Sequence, residues 1–382
     1  MNERGTGVLT QYELEVIKTC RTRGAVLCET DRGLKLLKEW TGSDRRIQLE
    51  YEVLSALEEE TGLQVDCCIR NREGALVCVD EDHTRYVVRN WYEGKECSTR
   101  ETGEILRAAE LLAKLHLALR RLEEEHILDR RRVEARRENA EAEKSNSDAP
   151  EISPGTEEKG EEASPETEKA SLEDGADSPE EYGEISPEAF GEVFRRHNRE
   201  LKRTRTFVKS RRKKTEFELL VIGGFEKFYR QAEEAAELAV SLDTMPKSWW
   251  CHGEYSHHHV LLGTGVRAIT DFSRMHYGIQ VSDLYYFMRK ILEKHRFNLR
   301  LARQLLDAYT AVLPLTRKEW SYLYILFLYP EKYWKQMNYY VNSNKAWIPA
   351  RNIDKLKALE SQFEARNLFL KELERKAMGI LY

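Results

Sequence analysis

The first ninety residues alternate short apolar runs with polar turns, a pattern that indicates a small antiparallel sheet. Residues 25–30 and 33–40 are separated by a D-R-G turn, which favours a hairpin between two strands. In residues 44–60 the apolar positions recur every three or four residues, so this segment is predicted to be a helix after the second or third strand. Further strands are predicted at 63–69, 75–80 and 85–92.

From residue 93 onward the apolar spacing changes to a helical period. Helices are predicted within residues 103–137, 188–240, 281–312 and 317–377. A small sheet followed by a larger helical part predicts an α+β fold with two lobes. The predicted segments are a small lobe at 1–92, a hinge and first helix at 93–137, an insertion at 138–188 and a helical lobe at 189–382.

Residues 138–188 differ from the rest of the chain in composition. They hold five of the nine prolines, and 18 acidic residues against 3 basic ones. Such a segment buries too little apolar surface to offset the entropy of ordering, so we expect it to be disordered. Its net charge is −15, whereas the rest of the chain has a net charge of +10, which together give the overall charge of −5. A basic body favours anionic partners such as phosphates.

The densest basic run lies at residues 195–214, with eleven Lys and Arg. Contacts between such a run and nucleic-acid phosphates would depend strongly on salt. No base-reading motif accompanies the run, which argues against nucleic acid as a partner.

Cysteine usage and the N-terminal residues bear on where the protein is made. The seven cysteines are odd in number and include no CxxC pair, which indicates reduced thiols. The N-terminus has no apolar signal core, and no run of 18 apolar residues occurs in the chain. We therefore expect synthesis in the cytoplasm without a signal peptide, and no transmembrane segment.

Four histidines and one carboxylate lie within C-H-G-E-Y-S-H-H-H-V-L-L at residues 251–262. Imidazoles bind transition metals, so a zinc site is one interpretation. Consecutive loop residues rarely converge on one ion, however, and no cysteine pair assists, which makes this the weaker alternative. On the other interpretation His252 supports the loop backbone, and His257 and His258 lie at the surface.

A more specific pattern is the order of the motifs along the chain. H-G-E at 252–254 is followed by His259, an apolar run, a glycine turn and I-T-D-F at 269–272. Upstream, Lys38 ends a predicted strand and Glu50 lies on the inner face of the first predicted helix. These are followed by W-Y-E-G at 91–94 and L-A-K-L-H at 112–116. This order, over roughly 230 residues, resembles the aminoglycoside-phosphotransferase-like branch of the protein-kinase-like superfamily, whose loop reads H-G-D-x-x-x-x-N and then I-D-F/W.

The resemblance implies a kinase-like fold with ATP and Mg²⁺ bound between the two lobes. It implies that Lys38 holds the nucleotide phosphates, that Glu50 fixes this lysine, and that Glu254 orients the acceptor hydroxyl. Asp271 and His259 occupy the positions expected to hold the metal. The hinge residues expected to meet the adenine are Trp91, Tyr92 and Glu93.

Two of the loop positions depart from the family pattern. Glu254 stands where the family has Asp, and its extra methylene moves the carboxylate by about 1.5 Å, while a misplacement of about 1 Å can cost on the order of 10²-fold in rate. His259 stands where the family has Asn, although Mg²⁺ prefers hard oxygen ligands. These departures predict a pseudokinase or a weakly active phosphotransferase. Asp283 resembles the family's helix aspartate that anchors the loop, which is a scaffold role.

A narrower resemblance involves the hinge and the C-terminal region. W-Y-E-G-K-E-C at 91–97, L-Y-P-E-K-Y-W-K-Q-M-N-Y-Y-V-N-S-N-K-A-W-I-P at 328–349 and the residues that follow are similar to the CotS-type spore coat proteins of endospore-forming Firmicutes. This resemblance implies a spore coat protein made in the mother cell, with other coat proteins as partners. The alternative is an active ATP-dependent small-molecule or protein kinase that acts during sporulation.

Overall fold

The structure, a computed structural model, describes residues 5–22, 24–131, 186–343 and 348–379. Its strands are β1 (Val16–Thr22), β2 (Ala25–Thr30), β3 (Gly33–Glu39), β4 (Gln64–Val65), β5 (Cys78–Val79), β6 (Arg85–Asn90), β7 (Lys95–Glu96), β8 (Trp249–Cys251), β9 (Val260–Gly263), β10 (Val266–Ile269) and β11 (His276–Gly278). Its α-helices are α1 (Asp44–Thr61), α2 (Thr102–Glu124), α3 (Pro187–Ser210), α4 (Glu216–Val240), α5 (Val281–Lys294), α6 (Leu299–Thr310), α7 (Arg317–Leu328), α8 (Glu331–Asn342) and α9 (Ala350–Met378). The predicted two-lobed α+β fold class is confirmed.

The small lobe is an antiparallel sheet in the order β1-β2-β3-β6-β5, with α1 following the third strand. Helix α1 begins after Ser43, whose side chain accepts the N–H of Arg46, and is capped at its C-terminus by Gly62 in the left-handed region. The apolar spacing predicts β2, β3 and β6 but no strand at β1. Both faces of this edge strand are largely exposed, so it lacks the buried positions that β2, β3 and β6 share.

A second sheet, in the order β4-β10-β9-β7, joins segments that lie far apart in sequence. Strand β4 follows α1, and it pairs in parallel with β10, which carries the chain toward Asp271. On the other edge, β7 follows the hinge and pairs with β9. This sheet therefore fixes the first helix and the hinge against the segment that contains the loop histidines.

In the large lobe, α2 packs mainly against α6 and also against α5. One face of α2 is fully buried, including Ile105, Leu112, Leu115 and Leu119. Helices α3 and α4 lie side by side, and α9 packs on α7. Aromatic side chains of α7 and α8, among them Phe327 and Tyr333, are buried in this core.

Most of the insertion predicted to be disordered, 138–188, lies outside the described residues. Helix α3 begins at Pro187, where the hydroxyl of Ser186 accepts the N–H of Ala189, so the helical lobe resumes slightly before the predicted boundary. All seven cysteines are free, and six of them are buried. Within the described part of the chain, no helix is long and apolar enough to cross a membrane.

Candidate active site

The loop after β8 takes its shape from one buried carboxylate on α5. Asp283 is 1% exposed, and its two oxygens accept the backbone N–H groups of His252 at 2.8 Å and Gly253 at 2.9 Å. The Nε2 of His116, the histidine of the L-A-K-L-H sequence on α2, lies 3.2 Å from the same carboxylate. The Nδ1 of His116 bonds the hydroxyl of Tyr309 at 2.7 Å. Side chains from α5, α2 and α6 thus hold the loop backbone in place.

Gly253 occupies a position that admits no side chain. Its φ of +83° is in the left-handed region, and a Cβ there would lie 1.9 Å from the carbonyl oxygen of Arg274. Because the obstacle is backbone, a substitution must displace either the loop or the turn that carries Arg274.

His252 has a structural role in the same loop. Its Nε2 donates to the carbonyl of Thr270 at 3.1 Å, and its Nδ1 accepts the N–H of Glu254 at 3.2 Å. Burial outweighs the nearby carboxylates and lowers the pKa of His252 to about 4, so the ring is neutral near pH 7. A neutral ring that makes both bonds orients the backbone at Glu254.

Lys38 and Asp271, 233 positions apart, meet at the boundary of the two lobes. The Nζ of Lys38 lies 3.4 Å from Oδ1 of Asp271, and both side chains remain about one-third exposed. Burial alone would raise the pKa of Asp271, but Lys38, the Ser273 hydroxyl and His259 outweigh it and lower the pKa to about 2. The structure therefore brings together an ammonium of the sheet lobe and an ionised carboxylate of the loop region.

Asp271 also has an uncommon backbone conformation, with φ of +63°. Its N–H donates to Oδ2 of Asp66 at 2.9 Å, and Asp66 directly follows β4. A second element thus fixes this strained residue, as is common where backbone strain occurs at a functional site.

His259 lies next to Asp271, and one ring nitrogen faces it. The Nδ1 of His259 donates to the carbonyl of Glu254 at 2.9 Å, so in the neutral form of the ring Nε2 carries the lone pair. This Nε2 lies 3.7 Å from Oδ2 of Asp271. Glu254 itself is exposed, and it lines a cavity of about 240 Å³ that neither His259 nor Asp271 lines.

Glu50 points inward from α1, as its face of the helix predicts, and is 0% exposed. The structure pairs it with Arg89 of β6, and not with Lys38. Arg89 is itself buried, and its Nη1 also lies 3.9 Å from Oδ2 of Asp66. Burial raises the pKa of Asp66 to about 7, with Arg89 and the N–H of Asp271 opposing that rise.

Hydrogen bonds to residues of the small lobe hold the hinge residues Trp91 and Tyr92 in place. The N–H of Trp91 donates to the carbonyl of Leu34 at 3.0 Å. The hydroxyl of Tyr92 donates to Glu58 and lies 2.9 Å from the carbonyl of Val65, so its side chain points back toward α1. Glu93 is exposed. The predicted contact of Trp91, Tyr92 and Glu93 with adenine remains a prediction.

The other loop histidines do not converge. The Nδ1 of His258 lies 2.6 Å from Glu96, whereas Nε2 of His257 lies 3.1 Å from Nζ of Lys294. Across the ranges that the structure describes, no three His, Cys, Asp or Glu side chains form a group that could hold a metal ion. This arrangement disfavours the zinc interpretation.

Sequence reasoning missed Arg89 and Asp66, which surround Glu50. Arg89 sits in an apolar run, and a cation in such a run is the signal that a buried acid lies opposite it. Asp66 gives a similar signal between Val65 and Cys67.

Comparisons with known proteins bear on the fold and the family. A family model described as a phosphotransferase enzyme family matches residues 25–318. The chain is similar in structure to an aminoglycoside phosphotransferase from Alicyclobacillus acidocaldarius, with a TM-score of 0.74, 14% identity, and coverage of 100% of this chain and 98% of the other. No curated protein matches the sequence.

Two further solved structures resemble the chain more distantly. Amicoumacin kinase hAmiN, in complex with AMP-PNP, Ca²⁺ and Ami, has a TM-score of 0.51 and 11% identity over 96% of this chain and 94% of its own. Spectinomycin phosphotransferase APH(9)-Ia, in complex with ADP and its antibiotic, has a TM-score of 0.51 and 9% identity over 94% and 96%. At such identities these likenesses establish the fold alone.

Proposed function

The chain belongs to the phosphotransferase enzyme family, and from that premise we propose that it binds a nucleoside triphosphate and a divalent cation between its lobes and transfers the terminal phosphoryl group slowly. The observation that carries this proposal is the approach of Lys38 to Asp271 across the lobe boundary. Phosphoryl transfer depends mainly on positioning and charge neutralisation, which need few side chains.

On this proposal Lys38 binds phosphate oxygens, and Asp271 stays ionised because its pKa is near 2. In the resting state, Nζ of Lys38 lies 3.4 Å from Oδ1 of Asp271. The phosphates and the cation would bind between these two side chains. The adenine would contact the hinge at Trp91, Tyr92 and Glu93. Support comes from two structural neighbours whose complexes contain AMP-PNP or ADP.

The residues present fit a cation that accepts a nitrogen ligand. Two ligands of one ion, each about 2.1 Å from it, lie at most about 4.2 Å apart, and Nε2 of His259 is 3.7 Å from Asp271. Mn²⁺ accepts imidazole more readily than Mg²⁺, so His259 and Asp271 favour Mn²⁺. When bound, the cation neutralises charge on the phosphates.

Glu254 is the candidate base for the acceptor hydroxyl. It follows the two residues whose backbone N–H groups bind Asp283, and it borders a cavity that would receive an acceptor. Its extra methylene relative to Asp displaces the carboxylate, so we expect slow transfer and not its complete loss. Turnover is slowed further because Glu50 is held by Arg89 and does not fix Lys38.

The spore coat role is a further part of the proposal, and it rests on the resemblance of the C-terminal residues to CotS-type proteins. Those residues form α8 and α9, whose aromatic side chains pack partly in the core. This role predicts that the protein is found in the coat fraction when spores of the bacterium that produces it are fractionated. Recovery only from the mother-cell lysate would contradict it.

The transferase part is tested by the release of ADP from ATP in the presence of Mn²⁺. We expect slow release by the wild-type protein and loss of that release in Asp271→Asn. The matched control is Glu96→Gln, which removes an exposed carboxylate of a nearby strand and should leave the rate unchanged. Equal rates for the wild type and Asp271→Asn would contradict transfer and favour a pseudokinase with an architectural role.

A further inference from the structure

Half of the residues that line the cavity beside Glu254 are Lys or Arg. It has a volume of about 240 Å³, and its floor is the loop at Gly253 and Glu254. The turn that follows Asp271 contributes one wall, and helices α5 and α8 contribute the others. The remaining lining residues are Arg274, His276, Tyr286, Arg289, Lys290 and Lys335.

The charge of this cavity stays positive when the nearby acids are included. Arg289 lies 3.2 Å from Glu293 and 3.4 Å from Glu331. Lys335 is 2.5 Å from Glu331, and Lys332 is 2.8 Å from Glu293. With Glu254, these acids give three carboxylates against five Lys and Arg, an excess of two positive charges. Such a cavity attracts anions and repels amines.

One cation in particular has capacity to bind a ligand. Arg274 is exposed and has no ion-pair partner among the residues that the structure describes. Arg289, by contrast, is already paired, because its Nε lies 3.4 Å from Glu331 and its Nη1 lies 3.2 Å from Glu293.

The size of the cavity limits what enters it. Sites for drug-sized ligands span about 300–1,000 Å³, so a cavity of about 240 Å³ suits a smaller molecule. The ring of Tyr286 supplies an aromatic wall, and Glu254 supplies the only carboxylate of the lining.

We propose that the phosphoryl acceptor is a small hydroxy compound bearing a carboxylate or phosphate group, bound with its anion at Arg274 and its hydroxyl at Glu254. This inference rests on the proposed phosphotransferase function. The hydroxyl oxygen forms a bond to the γ-phosphorus, and the bond from that phosphorus to the β–γ bridging oxygen breaks. The nucleoside diphosphate leaves with that electron pair, and the hydroxyl proton passes to the Glu254 carboxylate.

The test is calorimetric titration of the full-length protein without nucleotide, so that acceptor binding is measured independently of nucleotide binding. The probes are glycerate and glycerol 3-phosphate as anions, glycerol as the neutral analogue and ethanolamine as the cation. The variants are Arg274→Met and Lys335→Met. Lys371→Met, on the exposed face of α9, is the control for removing a positive charge elsewhere. Thermal unfolding of each variant shows whether it is folded.

We expect at least one anion to bind at least tenfold more tightly than glycerol or ethanolamine. Loss of a charge-assisted hydrogen bond in Arg274→Met should weaken that binding by about ten- to a hundredfold, and Lys335→Met should weaken it in the same direction. Lys371→Met should bind as the wild type does.

Equal binding of ethanolamine and the anions would overturn the proposed acceptor class. Anion binding that is unchanged in Arg274→Met but lost in Lys38→Met would also overturn it, because the anion would then occupy the nucleotide-phosphate side of the loop. Neither outcome affects nucleotide binding or ADP release, so failure of this inference is distinguishable from failure of the phosphotransferase proposal.

Discussion

Substitution of Arg89 by Met should strongly destabilise the small lobe. Arg89 is 4% exposed in its side chain, and the carboxylates that it faces, Glu50 and Asp66, are 0% and 3% exposed. Removing the cation leaves two acids buried without compensation. Breaking a buried pair in this way costs about 3–5 kcal/mol. At about 2–4 °C per kcal/mol, the melting temperature should fall by roughly 6–20 °C.

The assay is thermal unfolding followed by tryptophan fluorescence at pH 7.5, with two comparison variants. Arg85→Met removes a cation from the same strand, but its pair with Asp44 is exposed, so the loss should be below about 1 kcal/mol. The double variant Arg89→Met/Glu50→Gln should recover part of the loss, because one uncompensated charge is gone. If Arg89→Met costs no more than Arg85→Met, the buried cluster does not contribute as argued.

Three further predictions concern the loop and its surroundings. Gly253→Ala should lower the unfolding free energy by about 1–3 kcal/mol more than Gly265→Ala does. Gly265 is the matched control because it has a similar positive φ but open space around it. Equal losses of stability in thermal unfolding would contradict the clash at Gly253. Burial raises the pKa of Asp66 to about 7, so the stability that protonated Asp66 contributes is present below pH 4 and is lost as the pH rises toward 7. The melting temperature of Asp66→Asn, measured relative to that of the wild type, should therefore increase from pH 4 to pH 7. A constant difference between pH 4 and 8 would rule this out. His259→Asn should shift the nucleotide-dependent rise in melting temperature from Mn²⁺ toward Mg²⁺, whereas an unchanged metal preference would argue against His259 as a ligand.

Local patterns predicted much of the fold because burial and periodicity are local properties. The three- and four-residue spacing in residues 44–60 predicted a helix and placed Glu50 on its buried side, and the structure agrees on both. The pattern could not indicate which cation Glu50 meets, because that depends on strand register, which brings Arg89 opposite α1. Strand β1 was missed because neither of its faces is buried.

The candidate site was predictable where it depends on the order of motifs, and not where it depends on convergence in space. Motif order suggested that Lys38 and Asp271 face one cleft, and the structure places them 3.4 Å apart. The basic cavity had no comparable signal. Arg274, Arg289 and Lys335 come from a turn and two helices, and each by itself looks like an ordinary surface cation.

The most direct test of the central claim is a titration of the protein with ATP in the presence of Mn²⁺, in which the melting temperature is measured at each ATP concentration. The wild type, Lys38→Met and Lys18→Met are compared. Lys18 is exposed on β1 of the same sheet and serves as the matched control. At 100 times the dissociation constant, ligand binding adds about 2.7 kcal/mol to the stability of the folded state. We predict that the wild type and Lys18→Met show this stabilisation and that Lys38→Met loses most of it. A flat titration of the wild type, or equal stabilisation of Lys38→Met, would contradict a nucleotide site at Lys38 and Asp271.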